Sequence, residues 1–188
     1  MRKLIIPVVF TVLSLVPGLA RADIIREATL VGANETPPNN SQGFGIAIVS
    51  LNDALTTFTV EETFFGLTAP AIAGHIHVGP AGVAGPIVLP FTNPPPPNAT
   101  SGTFTETLTA ANFLPGGGLN TFADFVNAFE ASTTVGNSQL YVNLHSTQFP
   151  GGEIRGQLVA PELIPEPGTL ALFGLGLVGV AVYVRRRW

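Results

Sequence analysis

Hydrophobic and polar residues alternate along most of the chain between residues 26 and 160. Successive side chains of a β-strand point to opposite faces of the sheet, so a period of two predicts half-buried strands. Valine, isoleucine, threonine and phenylalanine are frequent in these runs, and glycine, proline and asparagine bound them. The pattern predicts eight short strands, near residues 26–33, 44–51, 55–64, 71–78, 86–91, 102–109, 138–145 and 153–160.

One segment, NTFADFVNAFEAS, has the period of a helix instead. Thr121 and Asp124 have the spacing of a capping box at its start. Its apolar residues recur at the spacing i, i+3, i+4 and i+7, namely Phe122, Phe125, Val126 and Phe129. Eight strands and one short helix predict an all-β fold, an antiparallel Greek-key-like β-sandwich or barrel that is either superoxide dismutase-like or immunoglobulin-like.

The N-terminal residues have the pattern of a secretory signal peptide. Arg2 and Lys3 precede an apolar stretch over residues 4–16, and Ala20-Arg21-Ala22 fits the small-x-small cleavage site. An uncleaved membrane anchor is the alternative, although the apolar run is short for a membrane span. We expect residues 1–22 to be removed on export.

The C-terminal residues have a different pattern. An uncharged stretch over residues 168–184, 17 residues long, is followed by three arginines and a final tryptophan. Its length is at the short end for a transmembrane helix, and the arginines would stay on the cytoplasmic side, so the folded domain would face outward. The chain is therefore expected to divide into a signal peptide at 1–22, one β domain at 23–160 and a C-terminal signal at 161–188.

Composition between these end segments excludes some classes of function. Residues 23–160 contain two basic side chains, Arg26 and Arg155, against ten acidic ones, which gives a formal charge of −8. Such a domain repels a phosphate backbone, so we expect no nucleic-acid partner. The chain has no cysteine, so neither disulfides nor thiolate chemistry is available to it.

Three histidines are the candidate metal ligands. In GHIHVGP, His75 and His77 lie two residues apart in a predicted strand and therefore share one face, opposite to the core-facing Ile76. The same argument places His145, in YVNLHS, on the outward face of its own strand. If the two strands are neighbours, three imidazoles converge on the outer surface of the sheet, and this donor set suits copper or zinc. The alternative is that the histidines are solvated or bond to loop carbonyls.

The last predicted strand carries Glu153 and Arg155 on one face. An arginine among so many acids is more often paired with carboxylates than catalytic, so both residues are candidates for a structural ion pair. No nucleophile elbow, phosphate-binding loop or paired-carboxylate motif occurs in the chain. We therefore expect a binding or structural module rather than an enzyme.

Several ordered blocks between about residues 27 and 158 resemble the chordin-type (CHRD) domain. They are ATLVGANETPP, GFGIAIVSL, GHIHVGPAGVAGPIV and YVNLHSTQFPGGEIRGQL. The resemblance implies an extracellular β-rich module, found in a secreted antagonist of bone morphogenetic proteins and in bacterial exported proteins. It transfers no catalytic residue.

The tail resembles the PEP-CTERM sorting signal, in which Pro165-Glu166-Pro167, an apolar segment and terminal arginines follow in this order. The resemblance implies an exosortase-type membrane protease as a partner. It also implies transient anchoring in the inner membrane, before placement at the cell surface, in the outer envelope or in the extracellular space. Extracellular polysaccharide or envelope proteins are then the expected binding partners.

GHIHVGPAG also resembles the copper-binding His-x-His strand of copper/zinc superoxide dismutases. That resemblance implies a copper site at His75, His77 and His145, and a copper-dependent redox enzyme as the alternative function. The chain departs from that family because it has no fourth histidine for the bridging ligand, no clear zinc set and no cysteine for the disulfide.

Overall fold

The computed structural model describes residues 22–92 and 99–162. The predicted transmembrane segment 168–184 and the Pro165-Glu166-Pro167 motif lie outside these ranges, as does the predicted signal peptide apart from residue 22. Within the described residues, no helix combines the length and the apolar character needed to cross a bilayer.

Within residues 22–92 and 99–162, eight strands and one α-helix form where the sequence pattern predicts them, so the all-β prediction is confirmed. The strands are β1 (Ile24–Val31), β2 (Phe44–Leu51), β3 (Thr57–Phe65), β4 (Ala71–Val78), β5 (Ile87–Pro90), β6 (Gly102–Thr109), β7 (Leu140–Ser146) and β8 (Ile154–Gln157). The helix α1 spans Phe122–Ala131. Strand β8 is shorter than expected, because beyond it only a single bridge between Glu27 and Val159 continues the pairing.

The strands form one continuous antiparallel sheet in the order β5-β4-β7-β8-β1-β2-β3-β6. Strands β1, β2 and β3 form a meander, whereas the connections from β3 to β4, from β5 to β6 and from β6 to β7 cross between the two halves of the sheet. These crossings are Greek-key-like. The sheet curls into a half-barrel, so its halves face each other across the core. Pairing of β1 with β8 keeps the halves hydrogen-bonded in one sheet.

Aromatic side chains hold α1 against the core face of the sheet. Phe58 of β3 is fully buried, and its ring lies 5.8, 5.0 and 4.9 Å, between centroids, from Phe122, Phe125 and Phe129. Burial of each such ring contributes roughly 1.5–3 kcal/mol. The helix therefore packs through the face that its periodicity predicts.

The two edge strands approach each other where the sheet curls. Phe91, directly after β5, packs against Phe104 of β6 with ring centroids 5.6 Å apart. The backbone N–H of Thr92 donates to a carboxyl oxygen of Glu106 in β6 at 2.8 Å. Opposite ends of the sheet are thus joined by side-chain contacts.

The acidic side chain of Glu62 lies entirely within the core. Glu62 of β3 is fully buried on the same face as Phe58, Val60 and Phe64. Neither of its carboxyl oxygens has a hydrogen-bond partner among the described residues. Burial disfavours the charged form and raises the pKa of Glu62 to about 8. The side chain is therefore mainly protonated in the folded protein at neutral pH.

Candidate metal centre

Strands β4 and β7 carry the three histidines, and they are direct neighbours in the sheet. His145 lies opposite Ala73, two residues before His75, and His77 lies opposite Tyr141. Residues two apart share a face, so His75 and His145 are diagonal neighbours across the strand pair. β4 and β7 are therefore adjacent, which is the condition that the sequence alone could not settle.

The strands divide their side chains between core and cluster as the alternation predicts. Ile76 and Val142 are fully buried in the core, and Val78 is buried beside them. The histidines point to the opposite face. Packing of these core side chains fixes the position and register of both strands. The strand positions in turn determine where the imidazoles lie.

The three imidazoles form one compact cluster. Nδ1 of His75 lies 3.0 Å from Nε2 of His145. Ring centroids are 4.8 Å apart for His75 and His145, and 5.4 Å apart for His75 and His77. One ligand nitrogen from each residue lies within 4.8 Å of the other two.

Loop carbonyls define which nitrogens are free to bind a metal. Nδ1 of His77 lies 2.9 Å from the carbonyl oxygen of Gly85, and Nδ1 of His145 lies 3.0 Å from that of Pro150. A carbonyl only accepts, so each Nδ1 carries the proton and each Nε2 keeps its lone pair. Among the described residues, the buried Nε2 of His77 has no hydrogen-bond partner. Nε2 of His145 accepts from Nδ1–H of His75.

Burial keeps the cluster neutral. Desolvation, together with the other two histidines, lowers the pKa of His75 to about 4. Desolvation also lowers the pKa of His77 to about 4, and that of His145 is lowered for the same reason. Neutral imidazole is the form that binds a metal, so at neutral pH protons do not compete for the free nitrogens.

The cluster is less exposed than the sequence predicts. His77 and His145 are each only 8% exposed, and His75 is half-buried. The reason is that two loops, residues 79–86 and 147–153, fold over the outer face of β4 and β7 and are held there by the carbonyl contacts. The imidazoles therefore lie on the outer face of the sheet but beneath loops, and the bonds to loop carbonyls named in the alternative interpretation are present.

An aromatic layer that was not predicted from the sequence adjoins the cluster. Tyr141 stacks on His77 with ring centroids 4.9 Å apart and an interplanar angle of 11°. The guanidinium carbon of Arg155 lies 3.4 Å from the centroid of the same tyrosine ring. Tyr141 and His145 lie on the same face of β7 in the alternation, and this pattern could have indicated that Tyr141 lies near the histidines. Its place beside His77 depends on the pairing of β4 with β7, which alternation does not give.

Glu153 and Arg155 are both buried, but they use different partners. One carboxyl oxygen of Glu153 accepts from the hydroxyl of Ser41 and from the N–H of Thr68. The guanidinium of Arg155 donates to Thr36, Pro80 and Gln157. Within the described residues, no hydrogen bond joins Glu153 to Arg155, the two candidates for an ion pair. The connection between β1 and β2 contacts both side chains at different residues, Ser41 for Glu153 and Thr36 for Arg155.

The fold and the cluster together define an all-β domain with three convergent histidines beneath its loops. Residues 26–158 match the CHRD domain family, and the chain belongs to that family. Residues 163–187 match the PEP-CTERM protein-sorting motif. That motif implies export and processing by an exosortase, with placement at the cell surface or outside the cell. No curated protein and no solved structure matches the chain.

Proposed function

We propose that the CHRD domain is an exported binding module that holds one copper or zinc ion through His75, His77 and His145. The observation that carries this proposal is Nε2 of His77, a buried lone pair without a partner among the described residues. A buried polar atom of this kind is costly unless something binds it. A metal ion shared with the two neighbouring imidazoles would satisfy it.

Distances within the cluster support a shared ion. Zinc lies about 2.0–2.1 Å from histidine nitrogens, so two ligands of one ion are roughly 3 Å apart. The nitrogens of His75 and His145 are 3.0 Å apart, although the proton between them has to leave Nδ1 of His75. The whole ligand set spans up to 4.8 Å, so binding requires small side-chain rotations that draw His77 inward.

The environment of the cluster supports the same proposal. The carbonyls of Gly85 and Pro150 act as the outer partners that usually orient metal-bound histidines. The formal charge of −8 over residues 23–160 favours cations near the domain. Three neutral imidazoles form a donor set suited to zinc or copper, and they leave coordination positions open.

Calorimetry and electron paramagnetic resonance with Cu(II), and calorimetry with Zn(II), test this site. We expect one ion per chain, with affinity reduced at least tenfold in His77→Ala and in His145→Ala. Gln42→Ala, an exposed position on another loop, is the control and should bind as the wild type does. Equal, weak binding in all four proteins would refute the proposal.

Copper-dependent redox activity is the alternative function, because open coordination positions on a three-histidine site would admit a small substrate. The copper-loaded protein would then consume superoxide, and His77→Ala would abolish the reaction. Copper binding without turnover would leave the binding module as the function.

We further propose that the tail anchors the protein transiently in the inner membrane, and that the released domain then binds extracellular polysaccharide or envelope proteins. Replacement of Pro165-Glu166-Pro167 by alanines should block processing in a host that contains an exosortase. Mass spectrometry of the exported protein reports the outcome, and an unchanged mature mass would contradict recognition of this motif.

A further inference from the structure

A cleft opens on the outer face of the sheet, beside the histidine cluster but distinct from it. Its volume is about 460 Å³. Thr29 of β1 and Arg155 of β8 lie on its floor. Its walls combine aliphatic side chains, those of Ala33, Pro38, Ala81 and Val135, with polar ones, among them Glu35 and Gln157. A cleft of this size that combines apolar walls with convergent polar groups suits a small molecule.

Arg155 presents a fixed set of hydrogen-bond donors to this cleft. Nη1 donates to the hydroxyl of Thr36 at 3.2 Å, and Nη2 donates to the carbonyl of Pro80 and to Gln157. The ring of Tyr141 lies against the guanidinium plane. Within the described residues, Nε–H and the second N–H of Nη1 have no acceptor. Two donors of an immobilised guanidinium are therefore unused.

The positive charge on the floor of the cleft is only partly balanced. Arg26, the other basic side chain of residues 22–162, is engaged elsewhere, donating to the carbonyls of Phe129 and Glu130 at the end of α1. Glu35 lines the same cleft and interacts electrostatically with Arg155, and burial raises the pKa of Glu35 to about 7. At neutral pH the negative charge of Glu35 is therefore incomplete and balances only part of the positive charge of Arg155.

We propose that this cleft binds a small molecule that carries one carboxylate on a short apolar body. The carboxylate accepts a hydrogen bond from the unused Nε–H of Arg155, since a bond between a charged donor and a charged acceptor is stronger than one to a neutral acceptor. The apolar body packs on the aliphatic walls. No histidine lines the cleft, so the proposal is independent of metal binding.

A matched pair of probes tests the site on the purified full chain after treatment with a chelator. Cyclohexanecarboxylate and cyclohexanecarboxamide have nearly the same shape and differ in charge. Each is titrated while nuclear magnetic resonance follows the assigned Nε–H signal of Arg155 and the backbone signals of the cleft. Val135→Trp fills the cleft from an exposed wall position, and Leu114→Trp places the same ring at an exposed position elsewhere.

We expect the carboxylate to shift the Arg155 signal and to bind at least tenfold more tightly than the amide. Val135→Trp should lose this binding, whereas Leu114→Trp should keep it. Equal affinity for the two probes would overturn the proposal, as would binding that survives in Val135→Trp. A carboxylate that produces no shift at Arg155 would overturn it as well. Failure of the metal proposal changes none of these outcomes, because the protein is metal-free throughout.

Discussion

Replacement of Glu62 by glutamine should change how the stability of the domain depends on pH. Glu62 pairs in register with Ala47 on β2 and with Phe104 on β6, so apolar neighbours flank it on both sides. Its carboxyl group is fully buried, and its pKa is raised to about 8 from an ordinary value near 4.5. Glutamine has almost the same shape and stays neutral at every pH.

The sign of the effect follows from proton binding in the two states. Below about pH 4.5 both states are protonated, and the side chain costs nothing through ionisation. Between about pH 4.5 and pH 8 the unfolded chain loses the proton while the folded chain keeps it, so stability falls as the pH rises. At 1.36 kcal/mol for each unit of pKa, the loss reaches at most about 4 kcal/mol at pH 8. Domains of this kind are stable by only about 5–15 kcal/mol, so this loss is large.

Urea denaturation followed by circular dichroism measures the effect at pH 4 and pH 8. The free energy of unfolding of Glu62→Gln, relative to wild type, should increase by about 4 kcal/mol between these two pH values. Other titrating groups are common to both proteins and cancel in this difference. Glu61→Gln, at the exposed neighbouring position of β3, is the matched control. A difference for Glu62→Gln that stays constant within about 0.5 kcal/mol would refute the buried, protonated carboxyl group.

Three further predictions concern the histidines, the sheet and the helix. In the metal-free protein, the lowered pKa values of His75 and His77, both about 4, mean that the unfolded chain binds more protons between pH 4 and about pH 6.5. The free energy of unfolding should therefore fall as the pH falls through this range. Its dependence on pH should be weaker in a variant that carries both His75→Gln and His77→Gln. Gly156→Ala should cost about 1–3 kcal/mol, since a Cβ there would collide with a carbonyl of β1. Gly136→Ala, which has open space, should leave the melting temperature unchanged. Thr121→Ala should cost about 1 kcal/mol through loss of the helix cap, and an unaltered helical signal and stability would contradict that role.

Alternation alone was enough to predict the strands and the face of the sheet on which the histidines lie, because both depend only on neighbours within one strand. The same pattern places Glu62 on the core face with Phe58 and Phe64, so its burial could have been inferred. Alternation is local, however, and the pairing of β4 with β7 joins segments that are about seventy residues apart. From the sequence, the three-histidine cluster could therefore be predicted only on the condition that β4 and β7 are neighbours.

The partners of the buried polar groups could not be predicted, because loops without regular periodicity supply them. Gly85 and Pro150 contribute backbone carbonyls to the histidines, and a carbonyl is present at every residue. The partners of Arg155 likewise include a backbone carbonyl, that of Pro80. Only the path of each loop over the sheet decides which carbonyls reach the cluster and the arginine.

The position of β1 in the sheet constrains the order in which an exported chain can fold. β1 lies between β2 and β8, so the first strand to emerge from a translocation channel pairs with the last strand of the domain. The meander of β1, β2 and β3 can assemble early, but strand pairing joins the two halves of the sheet only when β8 has arrived. Pairings so distant in sequence are slow to form. The sheet therefore stays incomplete until nearly all of the domain has crossed.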